Sequence, residues 1–279
     1  MRILTIQEFG RHIENYKFRE CLSLTRAFKS FGHDAKAWGM GHPNYDKRPD
    51  FNSYDIIINL ENYDLKGWVP SLSRYNHPLK LIWSIDAHLR GMEPFLKTFE
   101  DGNYDLILQS TQSYLTNKSV WFPNCYDDEL ISPGTIQDKR YSIGFCGSIL
   151  NRSTALSYLD KNFYLKTDIG VLGKDMVNAI KSYWIHFNQN IKGDINFRNF
   201  ETIGCGTVLL TNYDDQYDSL GFKDGENCIF YKSIEDIYPK VKKYHKHLIK
   251  IGANGALLAQ QHTYLARAQQ IIQIYENNV

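Results

Sequence analysis

Five cysteines, Cys21, Cys125, Cys146, Cys205 and Cys228, are scattered without a single C-x-x-C pair. An odd count at such spacing argues against a disulfide framework and against a structural zinc site, and it suits a reducing, cytoplasmic setting. No stretch approaches the ~20 consecutive apolar residues that span a bilayer, and the opening MRILTIQEFGRH holds too short an apolar run for a secretory leader. Charge of one sign is also missing. The net charge of +1 supplies no global field toward nucleic acid or membrane. There is no G-x-x-x-x-G-K-[ST] loop, no G-x-S-x-G elbow and no H-E-x-x-H pair. No Asp-x-Asp occurs either, the pair that would hold a divalent cation on a diphosphate, so no metal and no cofactor is expected. Internal repeats and low-complexity segments are absent.

What is present is a rhythm. The 279 residues, 43% of them hydrophobic, suit two domains of ordinary size. MRILTI reads as a buried strand, YKFRECLSLTRAFKSFG as a helix stopped by Gly32, and HDAKAWGM as a strand. YDIIINL (54–60), LKLIWSID (79–86) and YDLILQS (104–110) are continuous apolar runs of the kind buried on both faces. Strand alternating with helix predicts a parallel sheet with right-handed crossovers. Residues 119–140, with two prolines, a glycine and an acidic cluster that includes Asp127 and Asp128, read as a solvated connector. YSIGFCGS, YLKTDIGVLG, SYWIHFNQ, GTVLLTN and NCIFY then supply strands for a second α/β unit, and ALLAQQHTYLARAQQIIQIYEN reads as one unbroken helix. The expected architecture is α/β, two facing Rossmann-like domains with a cleft between them: 1–137, 138–258, and a helix over 259–279 that returns toward the first domain.

In such sheets ligands meet the carboxyl ends of the strands, which selects the candidate residues. Asp86 and His88 end the run LIWSIDAH, Asp86 as base or orienter and His88 as a hydrogen-bond partner for donor sugar or acceptor. Gly10 and Arg11 follow the first strand. Gly144, Gly147 and Ser148 form a turn whose backbone N–H groups can approach a diphosphate, and Arg152 and Arg198 can neutralise its charge. Glu201 sits in INFRNFETIGCGTVLLTN, in the first turns of a helix ended by Gly204-Cys205-Gly206. A carboxylate there either favours the helix N-terminus, by about 0.3–1 kcal/mol, or accepts two hydrogen bonds from a sugar diol, each worth roughly 1.5–3 kcal/mol. Position alone leaves both open.

RNFETIGCGTVLLTN, then GENCIFY, then HTYLARAQQIIQI resembles the C-terminal domain of CgeB-like glycosyltransferases, related to spore-maturation proteins, and YSIGFCGSILNR resembles the strand and phosphate loop that open it. The resemblance runs in order over about 141 to 275, and more loosely through IWSIDAH and FPNCYDDEL. It implies the GT-B fold, an inter-domain active site and a nucleoside-diphosphate sugar, UDP-sugar by preference, with Glu201 as ribose ligand. It also implies the two-glutamate pattern of the retaining family 4, or group 1, enzymes. The first of those glutamates would fall on Gly193, and Asp194 stands next to it as the candidate replacement.

The expected function is therefore a metal-independent glycosyltransferase, monomeric or homodimeric. Its acceptor is a cell-envelope glycan, a protein, a metabolite or a modified DNA base; the last needs a basic rim, for which Arg11, Lys17, Arg19, Lys47 and Arg48 are available. The alternatives are a non-catalytic sugar-nucleotide or glycan-binding protein and a sugar-nucleotide epimerase of the same fold.

Overall fold

The structure is a computed structural model that describes residues 1–10, 12–61 and 67–278. It divides into two units, Met1–Asn124 with the C-terminal helix from Tyr264, and Cys125–Thr263.

Unit 1 begins with β1 (Arg2–Ile6), α1 (Glu20–Ser30), β2 (Asp34–Trp38), β3 (Ile56–Leu60) and β4 (Leu79–Ser84). It continues with α2 (Ala87–Arg90), α3 (Glu93–Gly102), β5 (Leu106–Gln109) and β6 (Ser119–Trp121). The strands form one parallel sheet in the order β2-β1-β3-β4-β5-β6. All five residues of β3 are buried; a fully buried Ile contributes about 1.5–3 kcal/mol, so IIINL forms the centre of the sheet rather than an edge. The segment read as a connector from residue 119 begins instead with β6. Its three residues pair with β5 because an edge position tolerates partly exposed side chains. Asp127 is also buried rather than solvated, and its carboxylate accepts the Glu129 N–H at 3.1 Å.

Unit 2 runs β7 (Tyr141–Cys146), α4 (Ser153–Asn162), β8 (Leu165–Asp168), α5 (Gly173–Ser182), β9 (Tyr183–Asn188) and α6 (Phe197–Gly204). Then come β10 (Val208–Asn212), α7 (Gln216–Ser219), β11 (Ile229–Tyr231), α8 (Ile237–Tyr244) and α9 (Leu248–Ala259). Its parallel sheet has the order β11-β10-β9-β7-β8, so the strand order reverses between β7 and β9. That reversal leaves a crevice at the carboxyl ends of the two strands.

The tail is not one helix. α9 stops at Ala259, and α10 (Tyr264–Asn278) starts after a turn. Thr263 forms a β-bridge with Tyr126, and the His262 carbonyl accepts the Tyr126 N–H at 3.0 Å. These pairings with a distant segment replace the helical ones, which no local Gly or Pro signals. α10 packs on α1, and Arg267 donates to the Pro123 and Asn124 carbonyls at 2.7 and 3.1 Å.

Candidate functional site

The unit 2 crevice is framed by the chain leaving β7 and the chain leaving β9. Arg152 joins them. Its Nε donates to the Gln189 carbonyl at 3.1 Å and its Nη1 to the Ser148 and Leu150 carbonyls at 3.1 and 3.3 Å. Burial lowers the guanidinium pKa and the Asp194 carboxylate raises it, so the cation is held in a partly dry place beside an acid. Tyr231, at the end of β11, also interacts electrostatically with Arg152. Its buried Oη has no hydrogen-bond partner among the described residues, and neither has the buried Gln189 Oε1. Buried polar atoms of this kind cost about 1–3 kcal/mol, and in a crevice they point to a polar ligand.

The β9–α6 segment is fixed by amides. Asn190 Oδ1 accepts from Asn199 at 2.8 Å, its Nδ2 donates to Tyr217 Oη at 2.6 Å, and its backbone N–H donates to Asn212 at 2.7 Å. Asn196 caps α6 by accepting the Arg198 N–H at 3.1 Å. Below them His186 is fully buried, and burial with the nearby Arg198 pushes its pKa well below the usual value. The neutral ring accepts the Cys146 N–H on Nε2 at 3.1 Å, so its Nδ1–H faces Thr202 Oγ1 at 2.7 Å. Thr202 in turn donates to the Arg198 carbonyl at 2.6 Å. This relay ties the end of β7 to α6, where Arg198 pairs with Glu201 at 3.0 Å.

Residues 157–273 match the family described as glycosyl transferase-like. No curated protein matches the chain. Among solved structures, Anabaena HepE in complex with UDP-glucose is similar at a TM-score of 0.66 and 10% identity, over 99% of this chain and 100% of that one. T4 phage BGT in complex with UDP and Mn2+ is similar at 0.65 and 11%, over 99% of each chain. An alpha-glucosyltransferase in complex with UDP-glucose and DNA containing an abasic site is similar at 0.67 and 10%, again over 99% of each. The chain has the GT-B fold. Unit 2 supplies most of residues 157–273, the matched segment.

The GT-B frame separates the sequence candidates. Gly147, with φ +155°, Ser148 and Arg152 do lie in the turn after β7. Gly144 does not. It is inside β7, and a Cβ there would stand 2.2 Å from the Tyr183 ring, so its glycine answers to packing. Glu201 is the fifth residue of α6 rather than an N-terminal acid; the N-terminus belongs to Asn196. Gly193 has φ +75° in a tight turn, and its carbonyl accepts from Gln216 at 2.7 Å. A glutamate at that position would be strained by about 1–2 kcal/mol. Asp194, buried at 5% exposure, is the acid the turn presents instead.

In unit 1, Asp86 follows β4 and His88 is buried in α2. Burial raises the Asp86 pKa, while the His88 and Arg90 charges lower it. Gly10 (φ +92°) packs over the Arg19 side chain, whose Nη2 donates to the Glu8 carbonyl at 2.9 Å. Arg11 lies outside the described residues. The residue that sequence reading missed here is Glu61. It follows β3 as Asp86 follows β4, and its carboxylate accepts the Ile85 N–H at 2.6 Å and the Asp86 N–H at 3.2 Å. Burial, reinforced by Asp86, pushes its pKa up to about 8. Its position was countable, an acid immediately after a predominantly apolar strand, but its burial was not. Tyr231, Gln189 and the Asn190 network were missed as well, since a strand-end tyrosine reads as core and loop amides read as turn formers.

Proposed function

We propose that the protein transfers a sugar from a nucleoside-diphosphate donor, UDP by preference, and that unit 2 binds the donor at the β7–β9 crevice. The observation that carries this reading is the half-buried Arg152 guanidinium, in the turn between β7 and α4, beside the unpartnered hydroxyl of Tyr231 at the end of β11, within the segment matching the glycosyl transferase-like family. Gly147, Ser148 and Arg152 take the diphosphate, with Arg198 adding charge as the leaving group develops. Glu201 takes the ribose. A carboxylate offers several acceptor positions, so its pairing with Arg198 is compatible with holding a diol.

The finer parts of the proposal are a CgeB-like enzyme, metal-independent donor binding, retention of configuration with Asp194 in place of the first glutamate, and a cytoplasmic setting. Asp86 and His88 serve the acceptor nucleophile as base and orienter. The acceptor is a hydroxyl of a glycan, protein, metabolite or modified DNA base; the DNA in the alpha-glucosyltransferase complex makes hydroxymethylated DNA one acceptor to assay.

The test is a thermal-shift series with UDP, GDP, dTDP and ADP and their sugar conjugates, with and without EDTA. A donor at 100 times its Kd adds about 2.7 kcal/mol of stability. We expect a shift with one nucleoside diphosphate that survives EDTA and is lost in Glu201→Ala. A shift abolished by EDTA would remove metal independence, and no shift with any nucleotide would remove the donor assignment.

A further inference from the structure

At the opposite, amino-terminal end of the unit 2 strands lies a cavity of about 510 Å³, within the range of small-molecule sites. Its walls are Ile143, Phe163, Trp184, Ile185, Val241 and Leu248, and Lys242, His245 and Lys246 line it together with Ile249. Lys242 and Lys246 belong to a segment of uneven charge. From residue 237 to 263 there are five lysines and no Asp or Glu, although the whole chain is nearly neutral. Lys240 is neutralised by Asp224, which also accepts from Tyr244. Asp236, just before α8, is engaged by the Ser233 and Lys232 N–H groups. Lys242, Lys243, Lys246 and Lys250 are exposed.

Apolar groups stand out among those cations. Ile249, between Lys246 and Lys250 in the chain, is 61% exposed, and Tyr164, next to the cavity-lining Phe163, is 89% exposed. Tyr238 packs against Phe163 with ring centroids 5.4 Å apart, and Lys242 lies over the Tyr238 ring. Lysine heads above an aliphatic and aromatic surface match one chemistry, an anionic headgroup layer over acyl chains, where aromatic rings settle at the boundary. A nucleic acid would meet the same positive charge, but these cations are interleaved with aliphatic side chains, and no arginine occurs between residues 199 and 266 to fork onto phosphate.

We propose that this end of unit 2 docks on an anionic phospholipid bilayer, with the four exposed lysines on the headgroups and the cavity taking an acyl chain. Docking of this kind leaves the carboxyl-end donor crevice, at the other end of the same sheet, uncovered.

The experiment is co-sedimentation of the full chain with vesicles of phosphatidylcholine alone, or mixed with phosphatidylglycerol, without nucleotide. Each lysine near an anionic surface is worth roughly fivefold in partitioning. We expect binding to the mixed vesicles only, weakened by salt, and reduced at least ~25-fold in Lys242→Glu/Lys246→Glu. Ile249→Ser, which keeps every charge, should also weaken it, and the Trp184 environment should change on binding. Equal partitioning to both vesicles, no binding, or a charge-reversed variant that binds as well as the parent overturns the proposal. So does duplex DNA binding tighter than the mixed vesicles and lost in the same variant. Neither lysine is placed in the donor site, so the nucleotide thermal shift should persist in this variant, and the two readings fail independently.

Discussion

At the carboxyl ends of its strands, unit 2 is rich in amides and unit 1 is rich in acids. Asn190, Asn196, Asn199 and Asn212 satisfy one another around Tyr217, so the β9–α6 segment is ordered before any ligand arrives. Amides do this without titrating, and the arrangement is the same at any pH near neutrality. Across the β3 and β4 ends of unit 1, Glu61 and Asp86 instead hold carboxyl groups whose pKa values burial raises. A preordered amide frame suits recognition of a fixed charge, as on a diphosphate. A carboxyl pair with raised pKa values suits groups that exchange protons near neutral pH. The proposed donor role of unit 2 and acid-base role of unit 1 follow this contrast, and substitutions at three positions test it.

The largest effect is expected at Arg152. Removing one preorganised donor to developing charge costs about 10²–10³ in turnover, and Arg152→Ala also releases the Gln189 and Ser148 carbonyls that the guanidinium ties together. Arg152→Lys keeps the charge without the fork and should fall between parent and Ala. Steady-state kinetics with the donor identified by thermal shift decides it: Arg152→Ala turning over at the parent rate would take the diphosphate away from this crevice.

Asn190→Ala comes next. Asn190 is 4% exposed and bonds to partners on α6, β10 and α7. Losing a buried hydrogen-bonding group costs about 1–3 kcal/mol. Urea denaturation should show a loss of about 2 kcal/mol, with a comparable weakening of donor binding as the frame loosens. Stability lost with donor affinity intact would show that the network supports the core and not the site.

The sheets and most helices were legible in the sequence, because runs such as IIINL and LKLIWS are mostly apolar over a strand's length, as strands buried on both faces are. The break at Gln260–Thr263 was not, since its cause is pairing with Tyr126, far away in the chain. Asp86 was singled out because strand ends are countable positions, and Arg152 because it follows the glycine turn after β7. Gly144 was read into the turn rather than the strand for the complementary reason. Its neighbour Tyr183 arrives from β9, and only the register of β7 against β9 brings that ring over the glycine. Tyr231 fails the same way: its aromatic ring hides a hydroxyl whose importance depends on Arg152 being nearby. Glu61 obeyed the strand-end rule and was passed over because nothing in its local sequence marks it as buried.

Glu61 gives the smallest effect per unit of pH and the most specific one. Burial, with the Asp86 carboxyl beside it, pushes its pKa up to about 8 from the ordinary 4.5. The folded chain therefore keeps a proton that the unfolded chain has already released, and more protons are bound folded than unfolded between those two values. Stability must fall as pH rises through that window, by up to about 1.4 kcal/mol per pH unit from this group, and the dependence vanishes below the lower value. Glu61 has φ +54°, and Glu61→Gln leaves that backbone untouched while keeping an oxygen to accept the Ile85 N–H. Between pH 6 and 7 the parent should lose about 1.4 kcal/mol more than Glu61→Gln in urea titrations. The acid limb of the pH–rate profile should move as well if Asp86 titrates in concert with it. Parallel stability curves for parent and variant would mean that Glu61 is ionised in the folded chain, and the contrast between an amide end and a proton-holding end would then rest on Asp86 alone.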